Sequence, residues 1–430
     1  MDGSAEARRR RVLFLQGPPT PFWPELARAL EDAGHETRRL IFCAADLAFW
    51  RRRGAHHYRG RFSRWRDHVR GYMRDQGVDA VVYYADRLPY HVVAAEEAEA
   101  LGIPAYAVEF GYLRPDWLTL ERRGMGAFSH FPDTPDAVRA IAAQLPADPA
   151  MDERFSHSFL QEASRDIGFN LINALLGLPY PFYQMDKPYH PLLDYPGWIP
   201  RLLRSRVEAE EAERVTKRCE ARDFRYALVA LQMQSDYQIR DNAAYAGLAE
   251  LIEDVVESFA RHAARERRLI FKLHPLDNGL EDWPEVVRSA ARRHGVSRRT
   301  AVIDGGRLDA LIKHADGVVV ANSTVGLHAI RAGVPVLALG EAIYSMPGLA
   351  HQGPISTFWE APEPIDPGLA ADFVKALAGT IQVKGSFYDP EGRRLAQAEI
   401  VRRIVHDRVN APGAFAPSPP RLPVRRRRMG

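Results

Sequence analysis

Two residues able to bind an anion, Lys272 and His274, stand at the end of the apolar run Leu269 to Leu273. Residues two apart on a strand share a face, so the pattern predicts that both side chains point the same way. Pro275 favours an extended backbone at His274 and ends the strand. A cationic lysine beside an imidazole suits a phosphate or a sugar carboxylate, although a His-Pro pair can also be purely structural.

A second group of candidates follows the apolar run Val318 to Ala321. Asn322, Ser323 and Thr324 come next and precede a predicted helix that ends at Ala332. The amide groups and the dipole at a helix start favour an anion, and a hydroxyl can add one more donor. A bound phosphate is one interpretation, and an ordinary N-cap, which Ser and Thr often supply, is the other.

Polar side chains are also concentrated in the loop after the predicted strand Tyr226 to Leu231. They are Gln232, Gln234, Asp236, Gln238 and Arg240. Asp236 is a candidate nucleophile or base, held in place by the amide side chains around it. A helix cap before Ala243 is the alternative interpretation.

Two further candidates lie in the first half of the chain. Glu109 ends the apolar run that begins at Ala105, where a carboxylate costs free energy unless it is paired. Arg114 is the candidate partner, so a structural ion pair competes with a catalytic role. Gly17 follows the first predicted strand and either lets a ligand approach the backbone or forms a tight turn. A single glycine is not a dinucleotide-binding fingerprint.

Alternating strands and helices supply the scaffold for these residues. The succession occurs in both halves and predicts an α/β protein of two Rossmann-like domains facing a cleft. We predict domains at 1–206 and 207–389, a C-terminal helix at 390–409 and a disordered basic tail at 410–430. The stretch from Phe155 to Arg206 is rich in Pro and aromatic residues, which predicts extended segments and short helices.

Composition limits the class of protein. The chain has 430 residues, 46% hydrophobic and 26% charged, which suits two soluble domains. Its two cysteines, Cys43 and Cys219, favour a reducing, cytoplasmic compartment over a disulfide framework. We detect no secretory signal and no membrane-spanning run.

The net charge is +3, and part of it comes from arginine runs at 8–11 and 425–428. These runs are either solvated tails or contacts to an anionic membrane. No basic run is interleaved with aromatic residues, so we predict no nucleic-acid partner.

Six segments together resemble the capsule polysaccharide biosynthesis family, and most closely its KpsS-like branch of β-Kdo transferases. They are residues 14–18, 109–121, 232–239, 271–277, 322–327 and 385–388. The resemblance implies a GT-B-type glycosyltransferase with CMP-Kdo as donor and no required metal or cofactor. It implies a (lyso)phosphatidylglycerol or Kdo-lipid acceptor, and hence peripheral contact with the inner membrane and with capsule assembly proteins. The 1–206 domain would then face the acceptor, and the 207–389 domain would bind the nucleotide sugar.

The resemblance also implies a role for each matching residue. Asp236 matches a catalytic aspartate of a retaining mechanism, and Glu109 matches an active-site glutamate. We expect Glu109 to be the base, with His274 as second choice. Phe110 stands where a second acidic residue is common in the family. The expected donor-binding residues are Lys272, His274, Asn322, Ser323, Thr324, Gln232 and Gln238, and the expected acceptor-binding residues are Gly17 and Arg114.

Three other functions fit the same sequence. A transferase or epimerase with the same fold could act on another nucleotide sugar. A non-catalytic component of a capsule assembly or export complex is a second reading, although such a component has no need of the polar loop around Asp236. A peripheral lipid-binding module that uses the arginines at 425–428 is the third.

Overall fold

The computed structural model describes residues 8–146, 149–155, 159–185, 191–233, 245, 247–277 and 279–421. The chain divides into two compact units. The first unit contains Met1–Phe131, Ala143–Asp186 and Lys375–Ser418. The second contains Pro132–Ala142, Lys187–Val374 and Pro419–Gly430. Among the described residues, no helix is both long and apolar enough to cross a bilayer.

The described residues form twelve strands and fourteen α-helices. The strands are β1 (Arg11–Phe14), β2 (Glu36–Ile41), β3 (His56–His57), β4 (Ala80–Tyr84), β5 (Ala105–Phe110), β6 (Trp117–Arg122), β7 (Tyr226–Ala230), β8 (Arg268–Lys272), β9 (Thr300–Ile303), β10 (Gly317–Val320), β11 (Val336–Ala338) and β12 (Gln382–Lys384). The helices are α1 (Phe22–Asp32), α2 (Ala44–Trp50), α3 (Trp65–Asp75), α4 (Pro89–Ala100), α5 (Pro135–Ala143), α6 (Phe159–Leu176), α7 (Pro191–Glu220), α8 (Leu248–His262), α9 (Trp283–Arg293), α10 (Leu308–Lys313), α11 (Val325–Arg331), α12 (Ile355–Glu360), α13 (Pro367–Thr380) and α14 (Pro390–Val405).

The first unit is built on a seven-stranded sheet in the order β12-β6-β5-β4-β1-β2-β3. Strands β1 to β5 pair in parallel, and β6 and β12 add an antiparallel edge. The order reverses between β1 and β4, as in a Rossmann fold. Alternate residues of β1 enter different cores: Val12 and Phe14 join one, and Leu13 joins the other. The strand is therefore buried on both faces, which explains its uninterrupted apolar sequence.

The second unit has a five-stranded, wholly parallel sheet in the order β11-β10-β7-β8-β9. Its order reverses between β7 and β10. Helices α8, α9 and α12 contribute apolar side chains to the same core as β7 and β8. The predicted α/β class with two Rossmann-like units is therefore confirmed.

The stretch from Phe155 to Arg206 differs from the prediction. It contains the 18-residue helix α6 and the first half of the 30-residue helix α7, where short helices were expected. Pro191 occupies the first position of α7, which a helix tolerates. Pro196 and Pro200 follow within three turns, and the helix continues through a run of Glu, Ala, Arg and Lys with high helix propensity.

The predicted disorder after residue 410 is wrong for residues 410–421. The Asn410 side chain accepts a hydrogen bond from the Arg122 amide at 2.8 Å and donates to the Ala414 carbonyl at 2.8 Å. Further along, the buried Arg421 guanidinium donates to the carbonyls of Pro132 and Ile343. Hydrogen bonds to backbone groups thus hold a segment whose Pro-rich composition had predicted disorder. The remaining basic residues, 422–430, lie outside the described residues.

The unit boundaries also differ from those expected at 206, 389 and 409. Strand β12 pairs with β6 in the first unit, although it lies near the end of the chain. Helix α14 packs against α1 rather than forming a separate element, with Arg393 paired to Glu25 at 2.8 Å. The largest segment of the second unit, Lys187–Val374, is therefore inserted between two parts of the first.

Gly111 marks a close backbone approach at the edge of the first sheet. A Cβ there would lie 2.5 Å from the Trp117 carbonyl and 2.6 Å from the Gln382 side-chain oxygen. The same oxygen accepts from the Tyr112 amide at 2.7 Å, so β12 fixes the loop that follows β5.

We expect Gly111→Ala to lower the free energy of unfolding by about 1 to 3 kcal/mol, because the new methyl group clashes with backbone atoms. Urea unfolding measures the change. Gly71→Ala on α3 is the matched control, because a Cβ there meets nothing within 4 Å. That variant should gain about 0.5 to 1 kcal/mol. Equal effects at the two positions would contradict the packing described for Gly111.

Candidate functional site

The strand-order reversal of the second sheet is bridged by two amide side chains. Gln232 follows β7 and Asn322 follows β10. The Gln232 amide nitrogen donates to the Asn322 side-chain oxygen at 2.9 Å, and the Asn322 backbone amide donates to the Gln232 oxygen at 3.1 Å. Ligands of open α/β sheets bind at such a reversal, beyond the carboxyl ends of the strands. Both predicted residues therefore lie at the position where open α/β sheets bind their ligands.

Ser323 and Thr324 stand at the start of α11, as predicted. Thr324 is the N-cap residue, and the Ser323 hydroxyl accepts a hydrogen bond from the Val325 amide at 3.2 Å. The Tyr344 hydroxyl donates to the Ser323 carbonyl at 2.5 Å. A Cβ at Gly326 would lie 2.1 Å from that hydroxyl, so only glycine allows the contact. The Thr324 side chain makes no cap hydrogen bond, so the turn is held by Tyr344 and by the Ser323 hydroxyl.

Lys272 ends β8 with only 8% of its surface exposed. Burial lowers the pKa of this lysine; Asp304 opposes the effect and Arg201 adds to it. No carboxylate among the described residues forms an ion pair with Lys272. A buried ammonium without a paired carboxylate is costly to fold, and it attracts an anionic ligand.

Arg201 and Asp304 form an ion pair at this edge. Neither residue was predicted from the sequence. The Arg201 guanidinium donates to both Asp304 carboxylate oxygens, at 3.0 and 2.9 Å. It also reaches the His274 carbonyl at 3.4 Å. Such a two-point pair orients both groups. The signal that could have revealed Asp304 is the pair of glycines that follows it after β9, where Gly305 and Gly306 both adopt positive φ.

His274 lies two residues past Lys272 and is half-buried. Its Nδ1 accepts a hydrogen bond from the Leu276 amide at 3.1 Å, so the neutral ring carries its proton on Nε2. That tautomer can donate a hydrogen bond to a phosphate oxygen. The next carboxylate, Asp277, is held by the Gly279 amide and the Trp283 indole, which assigns it to shaping the loop.

In the first unit, Glu109 and Phe110 are the last two residues of β5 and lie beside the segment that precedes α14. The Phe110 ring contacts Phe387 at 5.2 Å and Tyr388 at 6.2 Å between centroids. Burial and the nearby Glu109 raise the pKa of Tyr84 well above its usual range. Two of the six segments that carry the resemblance, 109–121 and 385–388, therefore meet in this unit.

Arg114 does not form the ion pair expected for Glu109. Its guanidinium lies over the Phe110 ring at 4.8 Å, and no ion pair between the two residues occurs in the described part of the chain. Another carboxylate of this segment, Glu121, is fully buried and accepts hydrogen bonds from the Tyr112 hydroxyl at 2.8 Å and from the Ser129 hydroxyl. Its contacts assign Glu121 to holding the fold.

Gly17 has a local reason to be glycine. A Cβ there would lie 2.5 Å from the Trp23 indole ring, whose nitrogen donates to the Leu15 carbonyl at 2.8 Å. The glycine thus lets Trp23 close over the end of β1. This favours the tight-turn interpretation, and a ligand contact at Gly17 stays a prediction.

The structure gathers Gln232, Lys272, His274, Asn322, Ser323 and Thr324 at the carboxyl edge of the second sheet. Gly17, Glu109 and Arg114 belong to the first unit. Asp236 and Gln238 fall outside the described residues, and so do Gln234 and Arg240.

Lys272→Met should raise the free energy of unfolding by about 0.5 to 2 kcal/mol, because it removes a buried charge while keeping the side-chain volume. The folded state lowers the pKa of Lys272, so the unfolded chain binds more protons between that pKa and 10.5. Stability of the native chain should therefore rise with pH across that window, and the variant should lose this rise.

Urea unfolding from neutral to alkaline pH measures both effects. Lys217→Met is the matched control, since the Lys217 side chain is 70% exposed. A lower free energy of unfolding in the Lys272 variant would show that a group of the folded chain, and not a ligand, stabilises the buried ammonium.

The chain is similar to several known proteins. The chain is 29% identical over 384 residues to the capsule polysaccharide export protein KpsS of Escherichia coli, covering 88% of this chain and 97% of that protein. It is 28% identical over 386 residues to the capsule polysaccharide modification protein LipB of Neisseria meningitidis serogroup A, covering 88% and 91%. Among solved structures, the β-Kdo 2,7 transferase of KpsC from Thermosulfurimonas dismutans is 14% identical with a TM-score of 0.44, covering 92% of this chain and 99% of that chain.

The family model for capsule polysaccharide biosynthesis proteins matches residues 79–388. That range includes five of the six segments described above, and the shared region extends through both units. The chain belongs to the capsule polysaccharide biosynthesis protein family.

Proposed function

We propose that this protein is a glycosyltransferase that moves β-Kdo from CMP-Kdo onto a (lyso)phosphatidylglycerol or Kdo-lipid acceptor. The observation that supports it most is the buried Lys272, which has no ion-pair partner among the described residues. A CMP-linked acidic sugar brings two anions, a phosphate and a carboxylate. Relatives named for capsule export and capsule modification support a role in capsule assembly.

The proposal assigns the donor to the carboxyl edge of the second sheet. Lys272 attracts the donor phosphate, and the Nε2–H of His274 donates to the phosphate oxygen as it departs. Gln232 and Asn322 hydrogen-bond the nucleoside at the strand-order reversal. Ser323, Thr324 and Gln238 complete the donor-binding set, as the resemblance implies. Gly17 and Arg114 of the first unit are assigned to the acceptor.

The proposed reaction retains configuration through two displacements. The Asp236 carboxylate attacks the anomeric carbon of Kdo, and the bond to phosphate breaks so that CMP leaves with the electron pair. The acceptor hydroxyl then attacks the same carbon and displaces Asp236. Glu109 takes the hydroxyl proton, with His274 as the second choice. The reaction as proposed uses no metal and no cofactor.

Asp236→Asn should reduce transfer by at least about a thousandfold, because the amide cannot form the glycosyl-enzyme. Mass spectrometry after incubation with CMP-Kdo and a synthetic lyso-phosphatidylglycerol measures one added Kdo. Calorimetry should show that the variant still binds CMP, which separates lost chemistry from lost folding. Undiminished transfer by this variant would remove Asp236 from the mechanism.

The donor is tested in the same assay by replacing CMP-Kdo with UDP-N-acetylglucosamine and other UDP sugars. Turnover of a UDP sugar alone would favour the alternative of a transferase or epimerase for another nucleotide sugar. Folded protein that consumes no donor, with or without acceptor, would favour a non-catalytic component of a capsule assembly or export complex.

Lys272→Met should weaken CMP binding by about tenfold to a hundredfold, because a charge-assisted contact to the phosphate is lost. Native affinity should fall as pH rises through the lowered pKa of Lys272, since the attraction exists only while the ammonium is protonated. Calorimetric titration with CMP at several pH values measures both effects. An affinity of the native chain that is flat through this range would assign phosphate binding to other groups.

A further inference from the structure

Large apolar side chains are exposed in a single stretch of the first unit. Six of the ten exposed large hydrophobic residues in the described chain lie between residues 167 and 182. They are Ile167, Leu171, Leu175, Leu176, Leu178 and Phe182. Leu178 is 91% exposed and Leu175 is 67% exposed. Exposed apolar side chains concentrated in one segment are typical of an interaction surface.

The polarity of α6 is inverted relative to an ordinary surface helix. Its buried positions include Asn170, at 1% exposure, and Asn173, at 8%. The Asn173 oxygen accepts a hydrogen bond from the Ala45 amide at 2.9 Å, so a polar contact holds the inner face of α6 to the start of α2. Amphipathic helices normally bury the apolar face and expose the polar one. The inversion therefore indicates that the exposed face of α6 serves an interaction and not the core of the unit.

The exposed residues form one stripe. Ile167, Leu171 and Leu175 are four residues apart and lie above one another on the helix. Leu178 and Phe182 are also exposed, in the loop that follows α6. Leu47 adds a further exposed side chain on α2, which packs against α6 through the stacked rings of Phe49 and Phe169 at 6.2 Å.

A strongly basic segment borders the end of this stripe. Residues 51–64 contain six arginines, two histidines and no acidic residue. Five of the arginines are exposed: Arg51, Arg53, Arg59, Arg61 and Arg64. Most of this positive charge is therefore available to an anionic surface.

Direct contacts join the basic segment to the loop after α6. The Arg61 guanidinium lies over the Phe182 ring at 4.8 Å, and that of Arg59 lies over the Tyr180 ring at 5.8 Å. The Tyr180 hydroxyl also meets His57 Nδ1 at 2.5 Å. On α6 itself the acidic side chains, Glu162 and Asp166, lie at least two turns before Leu175. Apolar and cationic groups thus share one end of the surface.

We propose that the outer face of α6, the loop through Phe182 and the basic segment 51–64 form a docking surface for an anionic phospholipid bilayer. The leucines and Phe182 enter the boundary between headgroups and acyl chains. The arginines bind lipid phosphates at the level of the headgroups. Their apolar stems lie along the inserted side chains while the guanidinium groups stay among the headgroups. A protein partner with an apolar groove would be served by the leucines alone, so the arginines favour the bilayer. The inference goes beyond the proposed function, because it concerns attachment and requires no sugar donor.

Vesicle sedimentation with the full chain tests the surface. We expect binding to vesicles of phosphatidylglycerol mixed with phosphatidylcholine, weaker binding to phosphatidylcholine alone, and a loss of binding at high salt. Leu175→Gln with Leu178→Gln should reduce the partition coefficient by about tenfold or more. Arg59→Gln with Arg61→Gln should reduce it by about fivefold or more and flatten its salt dependence.

The matched control is Val207→Gln with Leu395→Gln, which removes two exposed apolar side chains outside the stripe. This control should bind vesicles like the native chain. Equal binding by native chain, stripe variant and control would overturn the proposal. So would a stripe variant that leaves vesicle binding unchanged but abolishes self-association in sedimentation equilibrium, since the surface would then join two copies of the chain.

A depth probe gives an independent readout. Cys43 and Cys219 are both buried, so a Leu178→Cys variant offers one accessible thiol for an environment-sensitive dye. Its emission should shift to the blue on anionic vesicles, whereas the dye on Leu395→Cys should show no shift. Identical emission at both positions would contradict insertion of the stripe. Failure of the sugar-transfer assay leaves these measurements unaffected.

Discussion

A parallel sheet covered on both faces leaves polar side chains little room except in the loops beyond its strand ends. That constraint shapes both units of this protein. The strands β1 and β7 carry apolar residues on each face, and the first polar side chains past them are Gln16 and Gln232. In the second unit the constraint brings one amide pair and one buried lysine to the same edge. The candidate site depends on that concentration, because the strands β7, β8 and β10 all end at this edge.

Much of this edge could be predicted from local pattern. Lys272, His274, Asn322 and Ser323 each follow a short apolar run, and each run forms a strand ending within two residues of the expected position. Local pattern fails where a residue arrives from a distant element. Arg201 reaches Asp304 from α7, a helix hidden in the sequence by its prolines. A short stretch of sequence shows neither the length of that helix nor that it packs near the end of β9.

The first unit shows a second limit of sequence reasoning. Strand β6, which begins at Trp117 within the segment 109–121, was not identified from the sequence, and β12 is only three residues long. Their pairing depends on contacts across more than 260 residues, such as the hydrogen bond between Gln382 and Thr119 at 2.9 Å. Opposite charge made Arg114 the candidate ion-pair partner of Glu109, but the Arg114 guanidinium stacks on the Phe110 ring. Planar cations are stabilised by aromatic faces as well as by carboxylates.

The return of β12 to the first sheet has a consequence for biosynthesis. Synthesis from the ribosome proceeds from the N-terminus, and domains generally fold as units when their residues become available. The second unit draws most of its residues from Lys187–Val374, whereas the first waits for Lys375–Ser418. The nascent chain therefore holds an unfinished N-terminal sheet, with the edge of β6 unpaired, while the inserted unit already has all five of its strands. A strand synthesised near residue 382 thus completes the sheet that the first strands of the chain began.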